Sequence, residues 1–230
     1  MHTLLTNPLY ILPLTLGLYL LASRLYARVH FPLFHPLLLT MGILIAAVHY
    51  SGTPYAQYKR GSELLSFFLG PSVVALGYLL HSQSSYLRGR LLSISASVLA
   101  GAVTGVLSVV GAAYLFGGNK VIALTLQPKS VTTPIGMALS EANGGIPELT
   151  AVIIVVAGLL GGVIGPPILK ILGIKSPVAR GLALGTSAHA MGTMAAVQMG
   201  AVEGAVGGLA IGLTGFFTAL IVPLSSPLWP

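Results

Sequence analysis

Pro128-Lys129-Ser130-Val131-Thr132-Thr133-Pro134 interrupts an otherwise apolar stretch that runs from Val121 to Ser140. Each proline lacks an N–H and so removes a helical hydrogen bond, and the run adds an ammonium and three hydroxyls. In a soluble protein such a run would be an ordinary loop. The rest of the chain rules that out: its 230 residues are 55% hydrophobic and only 7% charged, whereas soluble domains carry roughly a quarter charged residues. So little polar side chain cannot cover a soluble surface, and the apolar residues come in long runs rather than stripes. The solvent is therefore lipid, and the fold class expected is an all-α polytopic membrane protein. Backbone that leaves the helix within lipid survives only inside protein or beside a watery cavity. Residues 128–134 thus predict a broken helix near the bilayer midplane, in a place suited to a site.

Working outward, apolar segments lie at about 7–22, 33–49, 63–81, 91–116, 121–140, 149–172, 178–199 and 204–223, which gives seven to eight transmembrane or re-entrant helices. The separators are short and carry turn and charge signals, among them Arg24 to Arg28, Lys59-Arg60, Gly117-Gly118-Asn119-Lys120, Asn143-Gly144-Gly145 and Lys170 to Pro177. No linker divides the chain, so residues 1–230 are expected to form one transmembrane transporter domain. The first segment reads as a retained helix, because no basic residue precedes it and no small-residue cleavage site follows.

The net charge of +7 comes from 11 Lys and Arg against four Glu, with no Asp. Basic residues scattered in pairs between apolar runs suit anionic lipid or an anionic solute, and nucleic acid is not expected. If all eight segments crossed, Arg24/Arg28 and Lys170/Lys175/Arg180 would face opposite sides, against the bias of basic loops to the cytoplasm. One segment is therefore expected to re-enter, with 121–140 the best candidate. That arrangement puts Arg24, Arg28, Arg88, Arg90, Lys170, Lys175 and Arg180 inside, and all four Glu, Lys59, Arg60 and Lys120 outside. Leu69 to Gly77 and Leu184 to Gly192 match at five of nine positions, 115 residues apart. The match suggests inverted repeats of about 1–115 and 116–230. A competing alignment pairs Leu69-Gly70-Pro71 with Leu126-Gln127-Pro128.

The substrate-binding candidates fall in two constellations. In the first, Pro128 breaks the helix, Lys129 is the one cation set well inside an apolar segment, and Ser130, Thr132 and Thr133 supply hydroxyl donors. Helix N-termini at such a break carry positive dipole ends and free N–H groups that can hold an anion. The alternative is that Lys129 snorkels to the interface while the hydroxyls bond back to the helix. The second constellation is Thr186, Ser187, His189, Gly192 and Thr193, a polar cluster between glycines that permit close helix approach. His189 can couple a proton near neutral pH, donate a neutral hydrogen bond to a carboxylate, or simply pack against a carbonyl. Gly70-Pro71 reads as a kink or a site wall. Gly158, Gly161, Gly162 and Gly165 before Pro166-Pro167 read as a packing face ending at a stop. Glu141, Glu148 and Glu203 read as solvated or capping residues, with Glu203 opening the last helix.

Several chemistries are missing. The chain has no cysteine, no aspartyl pair, no His-Glu-x-x-His helix and no Walker-type glycine loop. An enzyme is not expected, and neither a cofactor nor a metal is called for.

Pro128 to Pro134, Gly144-Gly145-Ile146-Pro147, Ala179 to Thr193 and Glu203-Gly204-Ala205 resemble the motifs of the LrgB/CidB/YohK family. The likeness runs almost end to end, from Leu12-Pro13-Leu14-Thr15 through Phe31-Pro32 and the region near Pro36. The family is similar to the C-terminal part of the plastid glycolate/glycerate translocator. Its bacterial members are described both as antiholin-like modulators of murein hydrolase activity and as components of pyruvate uptake systems. The resemblance implies a protein of the bacterial cytoplasmic (inner) membrane with a small holin-like partner of the LrgA/CidA type. Where many relatives carry an Arg soon after the motif ending at Thr193, this chain reads Met194-Ala195-Ala196-Val197-Gln198. Residues and resemblance together lead to a carrier of small monocarboxylates such as pyruvate, glycolate or glycerate, working by alternating access. The alternative is an antiholin-like regulator of murein hydrolases and lysis, acting through a homo-oligomer.

Overall fold

The computed structural model describes residues 2–29, 34, 36–68, 71, 89 and 91–229. Among them every regular element is a helix. Two compact units result, Met1–Leu76 and Gly77–Pro230. The expected kink at Gly70-Pro71, the repeat partner Leu69 to Gly77, and the basic pair Arg88 and Arg90 lie outside the described residues or at their isolated fragments.

The first unit holds α1 (His2–Thr6), α2 (Pro8–Val29), α3 (Pro36–Tyr50), α4 (Tyr55–Gly61) and α5 (Glu63–Phe67). Helix α2 is long and apolar enough to span a bilayer. It runs straight through Arg24 and Arg28, which the sequence reads as a separator, because cations in the last turns suit the negative end of the helix dipole.

The second unit contains α6 (Leu91–Leu115), α7 (Lys120–Leu126), α8 (Thr133–Ala142), α9 (Pro147–Ile171), α10 (Pro177–Met199), α11 (Ala201–Ser225) and a terminal 3-10 turn. Helices α6, α9 and α11 are each long and apolar enough to cross. Between them lie two helical hairpins. The first is α7, a break and α8. Asn119 caps α7 by accepting from the Ile122 N–H at 3.0 Å. The helix stops after Leu126 because Pro128 follows, and the chain turns through residues 127–132 before Pro134 starts α8 in its first turn. The end of α8 returns beside α7: the Ile146 N–H donates to Thr125 Oγ1 at 2.9 Å. Thr150 Oγ1 lies 2.9 Å from the Thr125 carbonyl, to which it donates, and 2.7 Å from Ser140 Oγ. Thr125, Ser140 and Thr150 are all fully buried. This network ties both arms of the hairpin to the start of α9. Thr150→Val leaves the Thr125 carbonyl and Ser140 without a partner, and a loss of about 1–3 kcal/mol is expected. A thermal scan of the purified protein in detergent reads it as a lowered midpoint.

The second hairpin is α10. Its two arms follow one another without a loop, but Ala188 (φ −132°, ψ 20°) and His189 (φ 41°, ψ −130°) are not helical. Residues 177–187 (α10a) run inward and 190–199 (α10b) run back. The fold-back is plain from proximity: Gly192 sits against the Leu184 carbonyl and Ala188, and Leu184 shares a core cluster with Ala196. Both arms rest on α11, with Gly181 against the Glu203 backbone, Gly185 against Gly207, Gly204 against Val197, and Gly207 against Thr193.

Three expectations from the sequence differ from the structure. Residues 178–199 do not cross, so two segments fold back rather than one. Glu203 does not sit opposite Arg180: the pair is 4.0 Å apart, with Glu203 only 7% exposed. The physical reason is the hairpin, which returns the chain to its starting end before α11 begins at Ala201. Glu203 does open the last helix as expected, but as a buried ion-pair member rather than a solvated cap. Pro166 and Pro167 also do not stop α9, which continues to Ile171. Glycines 158, 161, 162 and 165 do form the packing face, and it receives α10.

Each hairpin is followed by a 25-residue helix, α9 or α11, and the two hairpin–helix pairs run in opposite senses. Hairpin one starts and ends with α9's first turns, and hairpin two starts and ends with α9's last. Both tips meet the centre of α9. Gly136 lies beside Pro128, Val131 and Ile154, while Ala188 and His189 lie beside Gly161 and Gly158. By helical rise the hairpin-one contact at Ile154 stands about 10 Å from the start of α9, and the hairpin-two contacts at Gly158 and Gly161 stand about 15–20 Å from its end. An inverted pair of broken helices meeting at mid-depth is the arrangement that places binding sites in secondary transporters.

Candidate functional site

The tip of hairpin one faces a groove of about 560 Å³ whose wall includes Ser97, Gly101, Thr104, Gly105 and Ser108 of α6, Lys129 and Ser130, and Ala179, Ala183, Thr186 and Ser187 of α10a. The approach of the three elements is set by glycines. The Thr186 methyl lies over Gly101, and Ser130 Oγ lies over Gly105. A side chain at either glycine would push a wall of the groove outward.

Lys129 is half-buried, and its ammonium donates to Ser130 Oγ at 2.9 Å. Among the described residues it has no carboxylate within salt-bridge distance, and no acidic side chain lines the groove. The surrounding hydroxyls bond back to their own helices: Ser97 to Ser93 O at 2.8 Å, Thr104 to Ala100 O at 2.8 Å, Ser108 to Gly105 O at 3.2 Å, and Ser187 to Ala183 O at 2.7 Å. They are satisfied without ligand, so the groove can empty cheaply, and each proton can rotate towards an arriving oxygen. Ser130 differs, since it accepts from Lys129 and its own proton remains to be donated.

The structure brings Lys129, Ser130, Thr186 and Ser187 together in one groove. The other expected residues lie around it. Pro128 is buried and breaks the helix. Thr132 is the N-cap of α8, although its side chain makes no capping bond, and Thr133 is the first residue of that helix. Gly192 packs inside hairpin two. Thr193 Oγ1 is buried over Gly207, without a partner among the described residues. His189 lies outside the groove wall, 6% exposed. Its Nε2 is 2.9 Å from the Ile154 carbonyl, which can only accept, so Nε2 carries the proton. The ring fills the notch left by Gly158. The left-handed backbone at His189 is held by this bond and this fit. For His189→Ala the expected loss is about 2–4 kcal/mol, from the hydrogen bond and the vacated ring volume, measured as a lowered thermal midpoint.

Sequence reasoning missed the α6 contribution. Its signal was present as hydroxyls at 97, 104 and 108 interleaved with glycines at 101 and 105, a single helix face.

Comparison with known proteins identifies the family. The LrgB-like family matches residues 15–228. An "Uncharacterized protein YxaC" of Bacillus subtilis is 36% identical over 190 residues, 83% of each chain. The "Antiholin-like protein LrgB" of the same organism is 34% identical over 194 residues, 84% of each. The "Holin-like protein CidB" of Staphylococcus epidermidis is 31% identical over 211 residues, 92% of each. No solved structure matches the chain. With a family match over almost its whole length and relatives above 30% identity, this polytopic membrane protein belongs to the LrgB-like family.

Proposed function

We propose that this chain carries small monocarboxylate anions across the bacterial cytoplasmic membrane, and that Lys129, Ser130, Thr186 and Ser187 form the binding site. The observation that carries the proposal is Lys129, an ammonium in a hydroxyl-lined groove at the hairpin tip with no acidic residue in the groove wall among the described residues. A cation inside a membrane protein is costly unless it is paired. Here the missing countercharge is the solute. One ammonium balances one carboxylate, and the groove has room for a few-carbon acid together with water. Pro128, Thr132 and Thr133 shape the break, while His189, Gly192 and Thr193 hold hairpin two in place. The bias of basic loops puts the end bearing Lys170, Lys175 and Arg180 in the cytoplasm.

The names of the relatives favour a second reading, a holin-like or antiholin-like component that controls membrane permeability and cell-wall turnover. It accommodates a small LrgA/CidA-type partner and self-association. The two readings are compatible, because altered carboxylate flux across the membrane changes the state of the cell in which the lytic enzymes act. Thermal scans of the purified protein separate them. Millimolar pyruvate or glycolate is expected to raise the midpoint of the wild type, by mass action on the folded state, and to leave Lys129→Met unmoved. Equal shifts in both proteins, or shifts matched by sodium chloride, would remove the site.

A further inference from the structure

We propose that the groove is an access path open to the end of the second unit that bears Lys170, Lys175 and Arg180, with Lys129 and Ser130 near its closed inner end, where α6 contributes Ser108. In this conformation a solute then enters and leaves from that side alone. The lining residues follow one order along the elements that carry them. On α10a the wall runs from Ala179, next to Arg180 at the hairpin base, to Ser187 at the tip. The tip meets α9 at mid-depth, while Leu184 lies beside Gly165 and Leu169, nearer the α9 end that carries Lys170. On α6 the wall begins at Ser97, two turns from the start, and reaches Ser108. The α6 start lies at the same end as Ala179, because α6 finishes at the opposite end, where Gly118 packs back onto Ala113 and Ile122. Thr186 meets Gly101 and Ser130 meets Gly105, so along α6 the elements follow the order hairpin two, then hairpin one.

The far end is filled. Beyond the break, Val110, Ala113 and Ala123 form a core cluster with Trp229 packed on it, and Lys120 Nζ donates to the Trp229 carbonyl at 2.6 Å. Gln127 is 1% exposed, with Ser226 Oγ 3.3 Å from its Oε1. The open end, by contrast, presents Lys170 and Lys175 exposed to solvent. Arg180 there is partly neutralised by Glu203 and donates from Nε to the Ile174 carbonyl at 2.7 Å. The surplus positive charge draws anions towards the mouth, and the hydroxyls at 97, 104 and 108 mark a polar track about 16 Å long by helical rise. What travels in the groove rests on the carrier proposal. The direction of access does not.

The chain has no cysteine, so single cysteines report without background. Ala183→Cys places a thiol on the groove wall, Lys175→Cys marks the basic end, and Phe116→Cys, 87% exposed as the native residue, marks the other. Each variant is labelled in sealed right-side-out and inside-out vesicles with a membrane-impermeant methanethiosulfonate. Ala183→Cys is expected to react in the vesicle orientation in which Lys175→Cys reacts, at least about tenfold faster than in the other. Reaction in the orientation that labels Phe116→Cys, or in neither, overturns the proposal. Ala100→Cys, also on the wall, repeats the test should Ala183→Cys fail to fold. Addition of pyruvate then separates the two claims: labelling from the basic end that pyruvate does not slow retains the path and counts against the carboxylate site.

Discussion

Lys129→Met is expected to reduce saturable carboxylate uptake about a hundredfold or more without harming the fold. Removing one member of a desolvated charge pair costs about 3–5 kcal/mol in the bound state, because the other charge is left unpaired. Every 1.4 kcal/mol is tenfold in affinity. The empty protein experiences the reverse. Its ammonium is half-buried with one hydroxyl partner, Ser130, at 2.9 Å, so exchange for an apolar side chain of similar length removes an uncompensated charge. The thermal midpoint of Lys129→Met should therefore stay level or rise while flux falls. A residue with a structural role would show both falling together. Lys129→Arg keeps the charge in a planar, bulkier group and is expected to retain part of the activity.

Gly192→Ala is expected to be the most damaging single methyl in the second unit. A Cβ there would meet the Leu184 carbonyl oxygen, with the Leu184 carbonyl carbon and the Ala188 Cβ each at 2.8 Å. Two of these atoms are backbone of the opposite arm, so no rotamer change relieves the clash. Overpacking of a filled interior costs about 1–3 kcal/mol, and the upper end is expected because hairpin two must splay. Gly17→Ala and Gly111→Ala, each with nothing near the added carbon, serve as controls and should sit within about 0.5 kcal/mol of the wild type. Thermal midpoints of the four proteins in one detergent make the comparison. Equal midpoints for Gly192→Ala and the controls would mean that hairpin two does not close as described.

The two hairpins differ in how visible they are in the sequence. The first declares itself, because Pro128 and Pro134 deny the backbone its helical bonds within an apolar run, and the polar residues between them need a polar environment. The second has no proline at its break. From Pro177 to Met199 its apolar and small residues keep helical spacing, and the turn depends on a left-handed His189 held by a carbonyl 35 positions away. Such a contact leaves no local trace. Gly185 and Gly192 were legible as sites of close approach, but not the partner each would approach. The same gap misplaced Glu203: a carboxylate near a segment end looks solvated until the hairpin brings Arg180 back to it. Lys129 stood out by composition alone, whereas the α6 wall of its groove needed the three-dimensional pairing of Gly101 with Thr186 and of Gly105 with Ser130.

Relatives carry holin-like and antiholin-like names, and the proposed carboxylate carrier would give such a role a physical means. On the proposed reading, the broken helices, the hydroxyl track and the Lys129 ammonium would all serve movement of a small anion. Uptake of labelled pyruvate and glycolate into proteoliposomes holding the purified chain alone, wild type beside Lys129→Met, tests this most directly. Saturable uptake in the wild type that falls to the level of empty liposomes in the variant is the expected result. Equal uptake in the two proteins, or none in the wild type, would contradict it.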